Sequence, residues 1–171
     1  KEGVNAIVRL CRALSGAGYV HPALGFCSLV VGTDPHLRAL LGDVQDRVSG
    51  KLTVNLASLK MDDTATQIGI DMRVPVTIPL EEFRARMRHA VHQLGWRYEV
   101  YDHLEPLYIP AESALVQTLC ASYSAVMGHP CVPGASAGIT YARAIPNCVP
   151  FGAHFPTRPY QAHMPNESIA M

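Results

Sequence analysis

The sequence predicts an α+β fold, built as a split βαββαβ sandwich that lacks its first strand. Three observations point to it. A helical stripe of apolar residues opens the chain, two period-two runs follow across a short polar turn, and a second amphipathic helix leads into one more extended segment. After a Pro-bounded connector, Glu105 to Pro110, the pattern becomes helix, short strand, small-residue loop and buried strand, which suits a fragment of an α/β layer. The expected division is therefore residues 1–109, an incomplete sandwich, and residues 110–171, the end of a second domain.

The elements follow in order. Val4, Ile7, Val8, Cys11 and Leu14 recur at helical spacing and stop near Gly16 and Gly18. Residues 19–49 mix Gly, Pro and short apolar pieces, which predicts a loop with one or two short helices, one of them around Pro35 to Leu41. Leu52, Val54 and Leu56 then alternate with polar neighbours, and a turn is expected at Met61 to Thr64. Ile68, Ile70, Met72, Val74 and Val76 form the next inward face, with Asp71, Arg73 and Pro75 on the other. Pro79 near a helix start, Glu81 and Glu82 in the first turn, basic residues later and Gly95 at the end give the charge order that a helix dipole favours. The predicted buried stripe of that helix is Leu80, Phe83, Met87, Ala90 and Leu94. Arg97 to Tyr101 reads as a short strand. In the second part Ser113 is a plausible N-cap for a helix carrying Leu115, Leu119, Tyr123 and Val126, ended by Gly128 and Pro130, and Asn147 to Gly152 reads as a buried strand. A helix that should return from a strand begins almost at residue 1, so the natural parent is expected to extend upstream.

Composition narrows the function classes. The 171 residues are 49% hydrophobic and 16% charged with a formal charge of zero, which lacks the basic excess of a nucleic-acid binder. No apolar run is long enough to span a bilayer, and Lys1-Glu2-Gly3 does not open a signal peptide. A cytoplasmic location, or excision from a longer parent, is the expectation. Cys11, Cys27, Cys120, Cys131 and Cys148 are odd in number and show no C-x-x-C spacing, so they read as reduced core residues rather than a disulfide framework or a zinc knuckle.

Three places could carry chemistry. Arg73, on the polar face of a regular strand, is suited to bidentate recognition of a carboxylate, or else to a solvated ion pair with Asp71. The run from Gly134 to Thr140 lacks bulky side chains except Ile139, so a ligand could approach its backbone N–H groups and the Thr140 hydroxyl, with Arg143 close behind. It is not a P-loop, and a tight packing turn is the simpler account of it. His163 could ligate a metal, but the eight histidines show neither H-x-x-x-H nor H-E-x-x-H spacing, and a catalytic zinc needs about three protein ligands.

These places occur in an order that resembles one enzyme family. Gly50-Lys51-Leu52-Thr53-Val54-Asn55 resembles a G-x-L-T-x-N strand, and Ile70-Asp71-Met72-Arg73-Val74-Pro75 an I-D-x-R-x-P strand, of PepV-type dipeptidases. Thr140-Tyr141-Ala142-Arg143-Ala144 and Asn147-Cys148-Val149-Pro150-Phe151-Gly152 are similar to that family's G-G-T-Y-A-R-A and N-x-V-A-F-G segments. Ala162-His163-Met164-Pro165-Asn166-Glu167 is similar to its A-H-x-x-N-E close, and Glu2-Gly3-Val4-Asn5-Ala6 to the stretch after A-H-A-S-x-P. Carnosinase, carboxypeptidase G and acetylornithine deacetylase belong to the same metallopeptidase group.

The resemblance implies a ferredoxin-like lid over an α/β domain that holds two zinc ions, with amide hydrolysis assisted by a Glu general base. By position it implies that Arg73 binds the substrate's terminal carboxylate, that Gly138 and Thr140 bind substrate, that Arg143 assists or supports the loop, and that His163 is a zinc ligand. Two departures stand out. Ile139 occupies a site that is glycine in the family, and the upstream H-x-D ligands, the bridging Asp, the Glu-Glu pair and the lid His have no counterpart here. The chain is therefore expected to depend on a missing N-terminal catalytic half as its partner, and to be inactive alone. The expected substrate is a dipeptide or an N-acyl amino acid. A non-catalytic ligand-binding or dimerising sandwich, able to form a homodimer, is the alternative. The loop and the A-H-x-x-N-E close argue against it, because a pairing module needs neither.

Overall fold

A computed structural model describes residues 3–136, 138–152, 161, 162 and 164–168. The chain divides into two compact units, Lys1–Leu104 and Glu105–Met171. Helices and small antiparallel sheets together make the fold α+β.

The first unit opens with α1 (Ala6–Gly16), whose start is fixed by Asn5. The Asn5 side-chain oxygen accepts from the backbone N–H groups of Ile7 and Val8 at 3.0 and 3.2 Å, satisfying two of the donors a helix start leaves open. Its amide nitrogen donates to the Leu56 carbonyl and to Asn55 Oδ1 at 2.8 and 2.9 Å, so one residue both begins the helix and ties it to a strand.

Residues 19–49, expected to be a loop with one or two short helices, hold three helical pieces. His21 accepts from the Ala23 N–H and Pro22 sits at the first position of α2 (Pro22–Gly25), which runs on into a π-helical turn, Phe26–Val31. Gly32 ends that turn in a crowded place, where an added Cβ would lie 2.5 Å from Val8 Cγ1 and 2.8 Å from the carbonyl oxygens of Cys27 and Ser28. The short α3 (Arg38–Leu41) lies within the predicted Pro35 to Leu41 stretch.

The two-residue strands β1 (Gln45–Asp46) and β2 (Gly50–Lys51) pair antiparallel, and the long hairpin consists of β3 (Thr53–Met61) and β4 (Thr66–Arg73). Its turn is built on Asp62, whose Oδ1 accepts from the Thr64 and Ala65 N–H groups. The register pairs Val54 with Met72 and Leu56 with Ile70, then slips between Leu56 and Ser58 before pairing Leu59 with Ile68. The extra residue is a bulge. Without it, Leu59 would turn outward; with it, Leu56 and Leu59 both face the core although they are an odd number of residues apart. Opposite the bulge, Gly69 leaves room for the Ser58 hydroxyl, which would lie 2.4 Å from a Cβ there.

α4 (Leu80–His92) follows Pro79 and ends before Gly95, whose φ of +79° suits glycine. Its buried residues are Phe83, Met87 and Val91. Leu94, predicted as part of the stripe, is exposed, because the helix has already ended and the chain turns back through Trp96 N–H to the Val91 carbonyl. One contiguous core, including Cys11, Leu24, Cys27, Leu37, Leu52, Phe83 and Met87, joins α1, the π-turn, the hairpin and α4. Cys11 and Cys27 are fully buried against each other; burial first, and then the neighbouring Cys11 thiol, push the Cys27 thiol up to about 12.

Three expected strands are not formed, the short one before the small-residue loop being coil. Arg97 to Tyr101 belongs to no sheet, although Trp96 and Tyr98 pack on the core while Arg97 and Glu99 point outward. The segment has strand-like alternation but no backbone neighbour, and a strand exists only by pairing. Asn147 to Gly152 likewise runs as turn and coil, with Asn147 at φ +50° and Phe151 exposed.

The second unit contains α5 (Ala114–Met127), which matches the predicted caps. The Ser113 hydroxyl accepts from the Val116 N–H, and Gly128 closes the helix at φ +71°. A 3-10 turn, Tyr141–Ala144, follows the small-residue loop. Among the described residues of this unit only Val116 and Ala142 are buried apolar side chains, while Val126 and Tyr141 are more than four-fifths exposed. Cys120, Cys131 and Cys148 are half-buried, which corrects the expectation that all five cysteines are core residues. Among the described residues no helix is long and apolar enough to cross a membrane.

Candidate functional site

Arg73 is the last residue of β4. It stands opposite Thr53, and Asp71 stands opposite Asn55, so these four share the exposed face of the hairpin while Val54, Leu56, Ile70 and Met72 hold the other face on the core. The face is braced at both ends. Asn5 grips Asn55, as described above, and the chain beyond Arg73 is held by Asp46 and Ser49.

The Asp46 carboxylate accepts from the N–H groups of Val48, Ser49 and Gly50 on its own turn, and through Oδ2 from the N–H and hydroxyl of Thr77 at 3.0 and 3.1 Å. The Ser49 hydroxyl donates to the same carboxylate and accepts from the Val76 N–H at 2.9 Å. Partial burial pushes the Asp46 carboxyl up, but the hydrogen bonds from Ser49 and Thr77 outweigh it and hold the group well below the usual carboxylate range. The segment just past Arg73 is thereby fixed, so the guanidinium is mounted on a stiff ribbon. The signal for this knot lies in Asp46-Arg47-Val48-Ser49-Gly50, an Asp turn closed by a glycine at φ +85°, which the apolar pattern of residues 19–49 does not disclose.

The same unit carries a groove of about 570 Å³ lined by Arg88, His92, Trp96, Arg97 and Tyr98. None of the predicted site residues lines it. Arg97 is ion-paired with Glu99 at 3.1 Å, and Tyr98 lies along α4, where burial first raises its phenol above the ordinary value against the opposing effect of Arg84 and Arg88.

In the second unit the loop leading to Thr140 has an internal tie. The Gly138 N–H donates to the Ser136 hydroxyl at 3.1 Å, so this donor is already engaged. Ile139 is exposed. Thr140 is extended, its carbonyl starts the 3-10 turn by accepting from the Arg143 N–H, and its hydroxyl oxygen is buried without a hydrogen-bond partner among the described residues. Arg143 is half-buried and its guanidinium donates to the Glu105 carbonyl. That contact makes Arg143 a strut between the connector and the loop.

Arg73 thus belongs to the first unit, while Gly138, Thr140 and Arg143 are brought together in the second. His163 lies outside the described residues. Among the described residues there is no group of three or more His, Cys, Asp or Glu able to hold a metal ion, so those residues do not fit a self-contained zinc centre.

No family model matches the chain. It is 30% identical over 173 residues to "Putative dipeptidase YtjP" of Bacillus subtilis (strain 168), a match covering 98% of this chain and 36% of that protein. A "Putative dipeptidase" of Staphylococcus epidermidis is 30% identical over 123 residues, which is 71% of this chain and 26% of the relative. A Staphylococcus saprophyticus protein with the same designation is 29% identical over the same length. The chain therefore spans about a third of the length of the curated relatives it matches, or less.

Proposed function

We propose that this chain is part of a dipeptide-hydrolysing enzyme, to which it contributes groups that hold the substrate. The observation that carries the reading is the Thr140 hydroxyl, buried at the end of a small-residue loop with no hydrogen-bond partner among the described residues. An unsatisfied buried hydroxyl costs free energy on the order of 1–3 kcal/mol, and it is tolerated where a ligand supplies the missing partner. Arg73 adds the second group a dipeptide needs: a fixed cation, on a braced strand, for the free carboxylate. The dipeptidase designation of a relative that matches over 98% of the chain supports the same reading.

In this reading Arg73 receives the terminal carboxylate, the Thr140 hydroxyl bonds a polar backbone group of the substrate, and Arg143 keeps the loop in place through the Glu105 carbonyl. Zinc, when the parent protein binds it, would be held mainly by residues outside this chain, with His163 as this chain's one ligand; no step of the reaction is assigned to this chain's residues through it. The ferredoxin-like lid belongs to the same proposal. Trp96 and Tyr98 already dock on the core, so the segment Arg97 to Tyr101 needs only one neighbouring strand to complete a sheet.

Steady-state kinetics of the full-length protein on a dipeptide, its C-terminal amide and the matching N-acyl amino acid test the proposal. Hydrolysis of the dipeptide with much lower kcat/KM for the amide is the expected result. Equal rates on dipeptide and amide would remove the role given to Arg73, and preference for the N-acyl amino acid would move the substrate class to amidohydrolysis.

A further inference from the structure

The end of α5 folds back on itself. Gly128 turns the chain in the left-handed conformation, Pro130 cannot continue the helix, and the Cys131 N–H then donates to the Ser124 hydroxyl at 3.0 Å. Tyr123 and His129 pack edge to face across the same turn, with ring centroids 5.4 Å apart. Ser124 and Cys120 are one helical turn apart on one face of α5. The returning segment therefore lays Cys131 along that face, beside Cys120. Both are half-buried, within reach of a small reagent.

We propose that Cys120 and Cys131 are a modification site, a thiol pair that closes reversibly to a disulfide by exchange with a low-molecular-weight disulfide. The exchange balances in two steps. One cysteine, as thiolate, attacks a sulfur of the small disulfide, forming a mixed disulfide and expelling one small thiolate, which takes a proton. The second cysteine gives up its proton and attacks the protein-side sulfur, forming the Cys120–Cys131 bond and expelling the second small thiolate. The protein loses two electrons and two protons, and the reagent becomes two thiols.

With both side chains on one face of the turn, closure to a bond of about 2.05 Å needs little movement of the backbone. The contact with Cys131, and then burial, hold the Cys120 thiol above its ordinary range. Attack by Cys120 at neutral pH is therefore slow, and the state of the pair follows the thiol–disulfide equilibrium. Closure would fasten the entry of the Pro133 to Thr140 loop to α5, which stiffens the segment that ends in the unsatisfied Thr140 hydroxyl.

The sequence makes the test direct. Trypsin finds no Lys or Arg between Arg97 and Arg143, so the peptide Tyr98 to Arg143 carries Cys120 and Cys131 and no other cysteine. The full chain is equilibrated in oxidised and reduced glutathione at graded ratios, blocked with an alkylating reagent, digested and weighed. The expected product is that peptide two hydrogens lighter and unalkylated, with Cys148, on a different peptide, serving as a half-buried comparison. In urea the pair should close only at ratios more oxidising by roughly tenfold or more, because the fold supplies the effective concentration. In native conditions the oxidised form should show slower amide exchange over Val132 to Ser136. Any of three results would overturn the proposal: both thiols still alkylated when Cys148 carries glutathione, each cysteine carrying its own glutathione, or the same closing ratio with and without urea.

Discussion

Arg73 and Thr140 are legible in the sequence to different degrees, and each leads to a different prediction. Period-two alternation over Ile68 to Val74 is enough to place Arg73 on the outer face, and the hairpin register puts it there, opposite Thr53. Replacing Arg73 with Met in the full-length protein removes charge-assisted hydrogen bonds worth about 1.5–3 kcal/mol each. A loss of about 2–4 kcal/mol lowers kcat/KM by roughly 30- to 1,000-fold on dipeptides. The same variant should leave the already poor rate on dipeptide amides nearly unchanged, and parallel kinetics on the two substrates check this. The Thr140 hydroxyl is different. Sequence marks a hydroxyl after small residues, but only the folded geometry shows that it is buried and unpaired. Thr140→Val removes a hydroxyl with no bonding partner among the described residues, so the unfolding free energy of the chain from urea titration should stay level or rise by up to about 1 kcal/mol, while kcat/KM of the full-length protein falls. A large loss of stability would show that the hydroxyl has a structural partner after all.

At the scale of elements, the hairpin and both long helices are readable because their apolar periods are regular and their caps, Ser113, Gly95 and Gly128, are conventional. The extended segments at Arg97 to Tyr101 and Asn147 to Gly152 mislead for one reason: alternation shows which side chains can face a core, whereas a strand also requires a neighbour to pair with. The π-turn escapes such reading because Pro, Gly and cysteine hide the helical period of Pro22 to Val31. Its exit makes a sharp prediction. Gly32→Ala adds a Cβ that meets two backbone carbonyls, which cannot move as a side-chain tip does, so it should cost about 2 kcal/mol and lower the thermal midpoint by roughly 8–16 °C. The Asp46 knot makes another. Its carboxyl titrates lower in the folded chain than the ordinary value of 3.8. The unfolded state therefore binds a proton first as pH falls, so the knot's contribution is complete above pH 3.8 and is lost progressively below it. Asp46→Asn should remove about 2 kcal/mol at neutral pH, and urea titrations from neutral to acid pH should show less acid-dependent loss in the variant than in the parent.

The whole molecule is uneven. One unit has a continuous core that joins helices and hairpin, while the described part of the other buries little beyond Val116 and Ala142 and exposes Val126, Val132 and Phe151. Apolar surface of that kind belongs against something, and the relatives are about three times as long as this chain. Amide exchange should therefore protect α1, β3, β4 and α4 by far more than α5 in the isolated chain, since local opening is cheapest where few apolar contacts hold. Catalysis should be divided in the same way. The chain offers a cation and a loop hydroxyl for the proposed substrate contacts, yet its described residues assemble no metal centre, and holding a substrate equally well before and during reaction does not accelerate it. The isolated chain with added zinc should release no amino acid from dipeptides above the buffer rate. The full-length protein should do so, and chelation should abolish its activity. Mixing the isolated chain with the separately produced remainder of that protein should raise both turnover and the protection of α5 amides. Turnover by the chain alone would require a catalytic centre built entirely from these residues, and the division of labour proposed for it would then be wrong.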